Sequence, residues 1–300
     1  MDINGLTIDK LALKRRGVLR TGGIGAAALG ALAMSGLASE KAEAATPAVD
    51  NDLAILNFAL NLEYLEAEFY LRGLSGTGLS AADIGTSPGA VTGGTAVPFT
   101  TTAGAQYSAE IAGDEQNHVR FLRAAITAAG GTPVDRPAIN LSTSFTAAAQ
   151  AAGLISMSQT FNPFADEASF LLGAYIFEDV GVTAYAGAAA LITNPAYLTA
   201  AAQILAVEAY HAGQIRTRLA AAGQYAATTA ISMLRAAASQ PTAVPDDQGI
   251  LVNGVLNITP TDSNSLVFTR TTTQVLDVVY LGTTPSANSF FPNGMNGAIK

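Results

Sequence analysis

Two histidines occur in the whole chain, and each stands three residues after a glutamate: Glu115 and His118 in DEQNHVRFL, Glu208 and His211 in VEAYHAGQI. The chain holds ten Glu among 300 residues. Both pairs falling so by accident has a chance of roughly one in a thousand, counted against a fixed template. Residues three apart lie on the same side of a helix, so a carboxylate and an imidazole reach one metal ion from a single stiff element. The spacing therefore predicts a two-metal site inside a helix bundle.

The first 44 residues read as a segment outside the folded protein. Lys14, Arg15 and Arg16 precede an apolar Gly/Ala-rich run from Ile24 to Ala38, and Ala42-Glu43-Ala44 fits a small-residue cleavage site. The run is too short and too weakly apolar for a membrane span. KRRGVLR resembles the twin-arginine export signals of bacteria, with Gly17 and Val18 departing from the pattern. The expected destination is the periplasm or the cell surface, reached already folded; a mobile basic N-terminus or a short anchor is the plainer alternative. Without this segment the chain keeps nine basic and nineteen acidic residues, near −10, which argues against nucleic acid and an anionic membrane surface as partners. The absence of cysteine removes disulfides, thiolate nucleophiles, iron–sulfur clusters and rubredoxin-type electron relays.

Composition divides the remainder at about residue 240. Residues 50–240 are rich in Ala, Leu, Ile and Phe, whereas 241–300 turn to Thr, Val, Asn, Gly and Pro. Long helical segments are expected at 51–74, 104–129, 166–192 and 195–222, with shorter helices at 225–238 and 145–159. Residues 73–103 form a Gly/Ser/Thr-rich loop read as a surface flap, and 131–165 form a crossover. In the tail, ILVNGVLNI carries the Asn-Gly of a hairpin, and SLVFTR and QVLDVVYLG are β-branched runs expected as strands. FFPNGMNG reads as an ordered loop or docking segment, and its low charge also suits a partner surface.

The carboxylates fall on the inner stripes of the four long segments. Leu56, Leu60, Glu63, Ala67 and Tyr70 follow one another at helical steps, as do Leu171, Ala174, Glu178, Val182 and Tyr185. In the other two, Ile111, Glu115, His118 and Leu122 match Ile204, Glu208, His211 and Ile215. The chain thus reads Glu-x6-Tyr, then Glu-x2-His, then the same again: an internal two-fold repeat of two helical hairpins joined by a crossover. Duller readings exist for each residue. Glu63, with Glu66 and Glu68, fits a solvated face; the Glu–His pairs fit surface salt bridges; Tyr70 and Tyr185 fit ordinary core aromatics. Asp114 is placed to orient His211 from across the bundle, while the matching position before Glu208 is Val207.

A Glu on two helices and Glu-x-x-His on the other two resembles the ferritin-like di-iron pattern. DEQNHVRFL is similar to the corresponding stretch of bacterioferritins, and NLEYLEAEFY with FEDVGVTAY to their Glu-x6-Tyr helices. The whole layout, exported N-terminus and FFPNGMNG tail included, resembles the ferritin-like proteins grouped with plant and bacterial desiccation-related proteins. The resemblance covers roughly residues 50–240. It implies a mainly α, ferritin-like four-helix bundle with a long crossover, extra short helices and a small β/loop extension. It further implies Glu63, Glu115 and His118 around one metal and Glu178, Glu208 and His211 around the other, with Glu115 and Glu208 bridging. Glu66 and Asp114 stand as supporting residues, and Tyr70 and Tyr185 as tyrosines beside the chemistry.

Four buried carboxylates repel one another unless cations sit among them, and two divalent ions balance them. Oxygen and imidazole ligands suit iron first or manganese, and zinc fits the same set. The expected activity is oxidation of ferrous iron or consumption of peroxide or dioxygen, in protection of the envelope under stress. The alternative is a non-catalytic, desiccation-protective protein whose metal pair only stabilises the bundle. Iron storage in a cage is a third reading, disfavoured by the long flap and the tail. A homo-oligomer or a surface partner bound through the tail is compatible with all three.

Overall fold

The helices begin and end where the local chemistry directs. In the computed structural model, which describes residues 51–239 and 247–300, seven helices and four short strands are present among the described residues: α1 (Asn51–Ser75), β1 (Val91–Gly93), α2 (Thr102–Ala128), β2 (Ile139–Leu141), α3 (Thr143–Ala151), α4 (Glu167–Ala189), α5 (Pro195–Ala221), α6 (Tyr225–Ala238), β3 (Leu251–Val252), β4 (Val255–Leu256) and α7 (Thr272–Tyr280). The expected export signal lies outside the described residues. Thr101, Asp166 and Asn194 cap α2, α4 and α5 by accepting from Gly104 N, Ser169 N and Ala196 N, each cap worth about 1 kcal/mol. Gly130 and Gly223 end α2 and α5 in the left-handed region, with φ of 79° and 69°, where a side chain is strained.

α1 packs along α2, and α4 along α5, as two long hairpins; α1 and α4 also meet. The two hairpins are joined end to end by Asp52. In the first turn of α1 it is buried and accepts hydrogen bonds from Thr193 N and Asn194 N at 2.8 Å, at the α4–α5 turn. α2 and α5 bury one stripe each, Ile111, Glu115, Val119, Leu122 and Ile126 in the first and Ile204, Glu208, His211, Ile215 and Leu219 in the second. By contrast, α1 from Ile55 to Tyr70 and α4 from Phe170 to Tyr185 are buried almost all round. A helix without a wet face must be covered on its far side.

The cover comes from the flap, the crossover and the C-terminal segment. The flap strand β1 pairs in parallel with β2 of the crossover, Val91 opposite Ile139. Asp135 accepts from Thr86 N and Ser87 N, and buried Glu68 of α1 pairs with Arg136 and, at 2.7 Å, with Arg72. Glu63, Glu66 and Glu68 are all buried, so the solvated-face reading of that stretch is excluded.

In the C-terminal segment, Asn253 and Gly254 form the expected hairpin turn between β3 and β4, both with positive φ (53° and 78°). The expected strand QVLDVVYLG is instead helix α7. Thr271 and Gln274 make a full capping box, and Val275, Val278 and Val279 form a buried apolar face at helical spacing. The helix expected at 145–159 is shorter, ending at Ala151 before Gly153, whose φ is 71°. FFPNGMNG docks into the body. Phe290 and Phe291 are wholly buried, and Asn296 exchanges hydrogen bonds with Asn61 of α1 at 2.9 and 3.0 Å. Phe69 stacks on Phe170 at 4.5 Å, and Phe145, Phe177 and Phe290 pack edge to face beside them, uniting α1, α3, α4 and the tail.

A charged network that the residue patterns did not reveal ties α4, α5 and α6 to the C-terminal segment. Arg216 and Arg235 both pair with Asp179, and Arg235 and Arg270 both pair with Asp247, at 2.7–2.9 Å. The three guanidinium groups are almost wholly buried. Arg216 gives its remaining donors to the carbonyls of Gln248, Gly249 and Asn257, Arg235 donates to the Tyr175 carbonyl and Arg270 to Ser239 and Thr183, and Arg216 and Arg235 lie over the Tyr175 ring.

Candidate metal centre

The interruption of four apolar helix stripes by six ligand-type side chains places all six at mid-height of the bundle. Two groups result, one of Glu63, Glu115, His118 and Glu208, the other of Glu115, Glu178, Glu208 and His211. In each, one ligand atom per residue lies within 4.8 Å of the others, and every member is buried. Glu115 and Glu208 belong to both groups, which is the geometry of two neighbouring positions with two shared carboxylates.

The atoms converge on common points and do not satisfy one another. His211 Nδ1 lies 3.0 Å from Glu115 Oε1 and 3.5 Å from Glu178 Oε2, and His118 Nδ1 lies 3.1 Å from Glu63 Oε2 and 3.5 Å from Glu115 Oε2. Yet both oxygens of Glu115, both of Glu208, Glu178 Oε2 and His211 Nδ1 are buried without a hydrogen bond. Leaving one buried carboxylate oxygen unsatisfied costs on the order of 1–3 kcal/mol. Five such oxygens and a ring nitrogen in one place fit oxygen- and nitrogen-preferring cations, since a cation at each focus satisfies all of them together.

Surrounding groups fix Glu63, Glu178 and His211 in place. The Tyr70 hydroxyl of α1 donates to Glu178 Oε1 of α4, and the Tyr185 hydroxyl of α4 donates to Glu63 Oε1 of α1. Both tyrosines therefore reach across to the opposite hairpin, and burial beside these carboxylates holds their hydroxyls well above the usual phenol range. Asp114 Oδ2 lies 3.2 Å from His211 Nε2, so the far side of that ring is oriented by a carboxylate.

Charge in the absence of cations is shared unevenly. Burial pushes the Glu63 carboxyl up to about 7, with neighbouring Glu115 adding to the shift and His118 opposing it. Burial and mutual repulsion also raise Glu66 and Glu208 well above the carboxylate range, and burial raises Glu178. Burial works against Glu115 as well, but the two imidazoles beside it prevail and hold it below the usual range. Against burial, which favours the neutral ring, Glu63 and Glu115 push His118 up to about 12, and Glu178 with Asp114 raises His211.

Two features of the surroundings were not legible as ligands. Gly181 of α4 backs onto Glu208, which both groups share: a Cβ there would overlap Glu208 Oε2 and would lie 3.6 Å from Glu66 Oε1. Glu66 thus brings a fifth carboxylate beside the centre, outside the two ligand groups. It also lines a narrow apolar pocket with Leu62, Ile176, Val180, Gly181 and Val278, on the side of α1 and α4 covered by α7.

Sequence comparison agrees with this architecture. The family model for the ferritin-like domain matches residues 51–221. The chain is 30% identical over 272 residues to the desiccation-related protein PCC13-62 of Craterostigma plantagineum, covering 82% of this chain and 83% of that protein. It is likewise 30% identical over 283 residues to the ferritin-like catalase Nec2 of Nesocodon mauritianus, covering 85% and 86%. No solved structure matches the chain. By its bundle and by both relationships, the chain belongs to the ferritin-like domain family.

Proposed function

We propose that this chain is an exported ferritin-like di-metal protein that consumes peroxide, with ferrous iron or dioxygen as the other substrates open to the same centre. The observation that carries the reading is the pair of buried four-ligand groups sharing Glu115 and Glu208. Two cations held there, iron first, with manganese or zinc fitting the same donors, supply two-electron chemistry toward a small oxidant. A relative bearing the name ferritin-like catalase supports peroxide over the other substrates.

Peroxide disproportionation is also self-sufficient in electrons. One peroxide gives two electrons and two protons and leaves as dioxygen; a second takes both and leaves as two waters. A chain with no cysteine, and hence no thiolate relay, needs no donor for this reaction. The side chains manage the protons and the solvent. Glu66, a buried carboxyl beside the centre whose protonated form is favoured by burial and by its acidic neighbours, is placed to give up and take back a proton. Tyr70 and Tyr185 hold Glu178 and Glu63 in place, and the buried walls restrict water to the side of His118.

Dioxygen evolution from hydrogen peroxide, measured on the metal-reconstituted protein and its Glu115→Ala variant, tests the reading. Turnover by the first and none by the second is expected; ferrous oxidation without dioxygen evolution moves the assignment to a ferroxidase.

A second reading rests on the desiccation-related relative, which matches equally well. In it the metal pair clamps the two hairpins and the protein protects without turnover. Two bound ions that raise Tm while neither peroxide nor ferrous iron is consumed would select this reading. The basic stretch KRRGVLR supports placement in the envelope, which cell fractionation tests.

A further inference from the structure

The two hairpins match position by position, Glu63 with Glu178, Tyr70 with Tyr185, Glu115 with Glu208 and His118 with His211, but they differ at two places beside the centre. The residue before the bridging glutamate is Asp114 in one hairpin and Val207 in the other. The residue three after the outer glutamate is Glu66 in one and Gly181 in the other.

Asp114 acts across the bundle, on His211 of the opposite hairpin, at 3.2 Å from its Nε2. Through the pseudo-two-fold relation, Val207 occupies the position from which a carboxylate would do the same for His118, and Val207 has no polar group to offer. His118 makes its hydrogen bond through Nδ1 to Glu63, and among the described residues none is made at its Nε2. Its side chain is also the more accessible of the two, 12% against 6% exposed. One imidazole therefore has a carboxylate behind it, on the nitrogen facing away from the centre, while the other has none on that nitrogen and reaches solvent. At the second difference the room left by Gly181 is taken by Glu208 Oε2, with Glu66 Oε1 farther off, 3.6 Å from where a Cβ would sit.

We infer that the two metal positions are inequivalent: the position of Glu115, Glu178, Glu208 and His211 holds its ion firmly, and that of Glu63, Glu115, Glu208 and His118 exchanges it. This rests on the di-metal reading above. A carboxylate behind a ligating imidazole fixes the ring orientation and raises its basicity, and losing such a partner costs about 10–100-fold in metal affinity. The His118 position loads last and empties first, and it is the one at which the ligand set opens toward solvent.

Stepwise titration of the metal-stripped full chain with Mn(II), followed by calorimetry, reads the difference without any turnover. Two steps are expected, separated by about 10–100-fold. Asp114→Asn weakens the tight step; Val207→Asp tightens the weak one, a gain that damage to folding cannot mimic. His118→Gln removes the weak step and leaves the tight one. Two ions bound in one indistinguishable class, or loss of the tight step from His118→Gln, overturns the inequivalence and leaves the metal centre standing. A folded chain, checked by circular dichroism, that binds no Mn(II), Fe(II) or Zn(II) overturns the centre itself.

Discussion

Tyr185 on α4 donates its hydroxyl proton to Glu63 on α1, binding the two hairpins through an outer ligand of the candidate centre. Replacing it with Phe removes a donor to a buried carboxylate, a loss of about 1.5–3 kcal/mol in the folded protein. Tyr185→Phe is expected to unfold at lower urea and to release metal from the His118 position faster, with helical content unchanged. Chelator-driven release kinetics check this; identical rates in the two proteins would show the hydroxyl to be mere packing.

Gly181→Ala offers a sharper contrast. Alanine is the better helix former, by about 1 kcal/mol in a free helix, but its Cβ meets Glu208, the carboxylate shared by both groups. The expected protein is helical and folded yet binds fewer than two ions. Metal analysis beside far-UV circular dichroism decides it, and full metal content would mean that Glu208 has room to move.

Stability without metal is expected to decline as pH rises from about 4.5 to about 7. Glu63, with its folded value near 7 against an ordinary 4.5, binds its proton more tightly in the folded state. Glu66, Glu178 and Glu208 are raised in the same direction. Their stabilisation is complete below 4.5 and is lost as the pH passes through the folded values. His118, raised to about 12, adds a loss that starts above 6.5. Glu115, shifted downward, matters only on the acid side, its contribution vanishing below 4.5. Tm of chelator-treated protein across this range tests the sign, and the loaded protein should show a flatter profile. Metal uptake near pH 6 should also release protons, seen as a buffer-dependent heat in calorimetry.

Arg235→Ala leaves Asp179 and Asp247 each one cation short inside the body. Removing one partner of a buried pair costs about 3–5 kcal/mol. The variant is expected to lose that much stability by urea unfolding and to expose residues 247–270 to protease. A protease pattern equal to wild type would argue that the network does not hold the C-terminal segment.

How far the residues alone announce this structure varies with the kind of interaction. Glu63, Glu115, His118, Glu178, Glu208 and His211 were readable because helical periodicity is local, and a charged residue inside an apolar stripe stands out in it. Asp114 was readable as the neighbour of Glu115 able to orient an imidazole across the bundle, although the repeat breaks there at Val207. α7 was misjudged on its β-branched valines, although Thr271 and Gln274 spelled a capping box and the valines fall at helical steps. There, burial against α4 outweighed intrinsic preference.

Of the covers over α1 and α4, the docking of FFPNGMNG was readable, but the long-range pairings that hold the rest were not. Glu68 finds Arg136 across 68 residues, and Arg270 finds Asp247 and Thr183. Such pairings follow no period in the sequence. The one available hint was the sparse charge, 13% of residues, which leaves few arginines without a structural assignment.

The burial of α1 and α4 on every side carries a consequence for variation in this fold. In α2 and α5 every third or fourth position faces inward, and the rest are open to drift. In the inner pair nearly any change of volume is felt. A saturation scan should therefore show two helices of periodic tolerance flanking two that are intolerant along their whole middle length. The same reasoning expects relatives to diverge chiefly in the outer pair and the loops, and an alignment of relatives checks it.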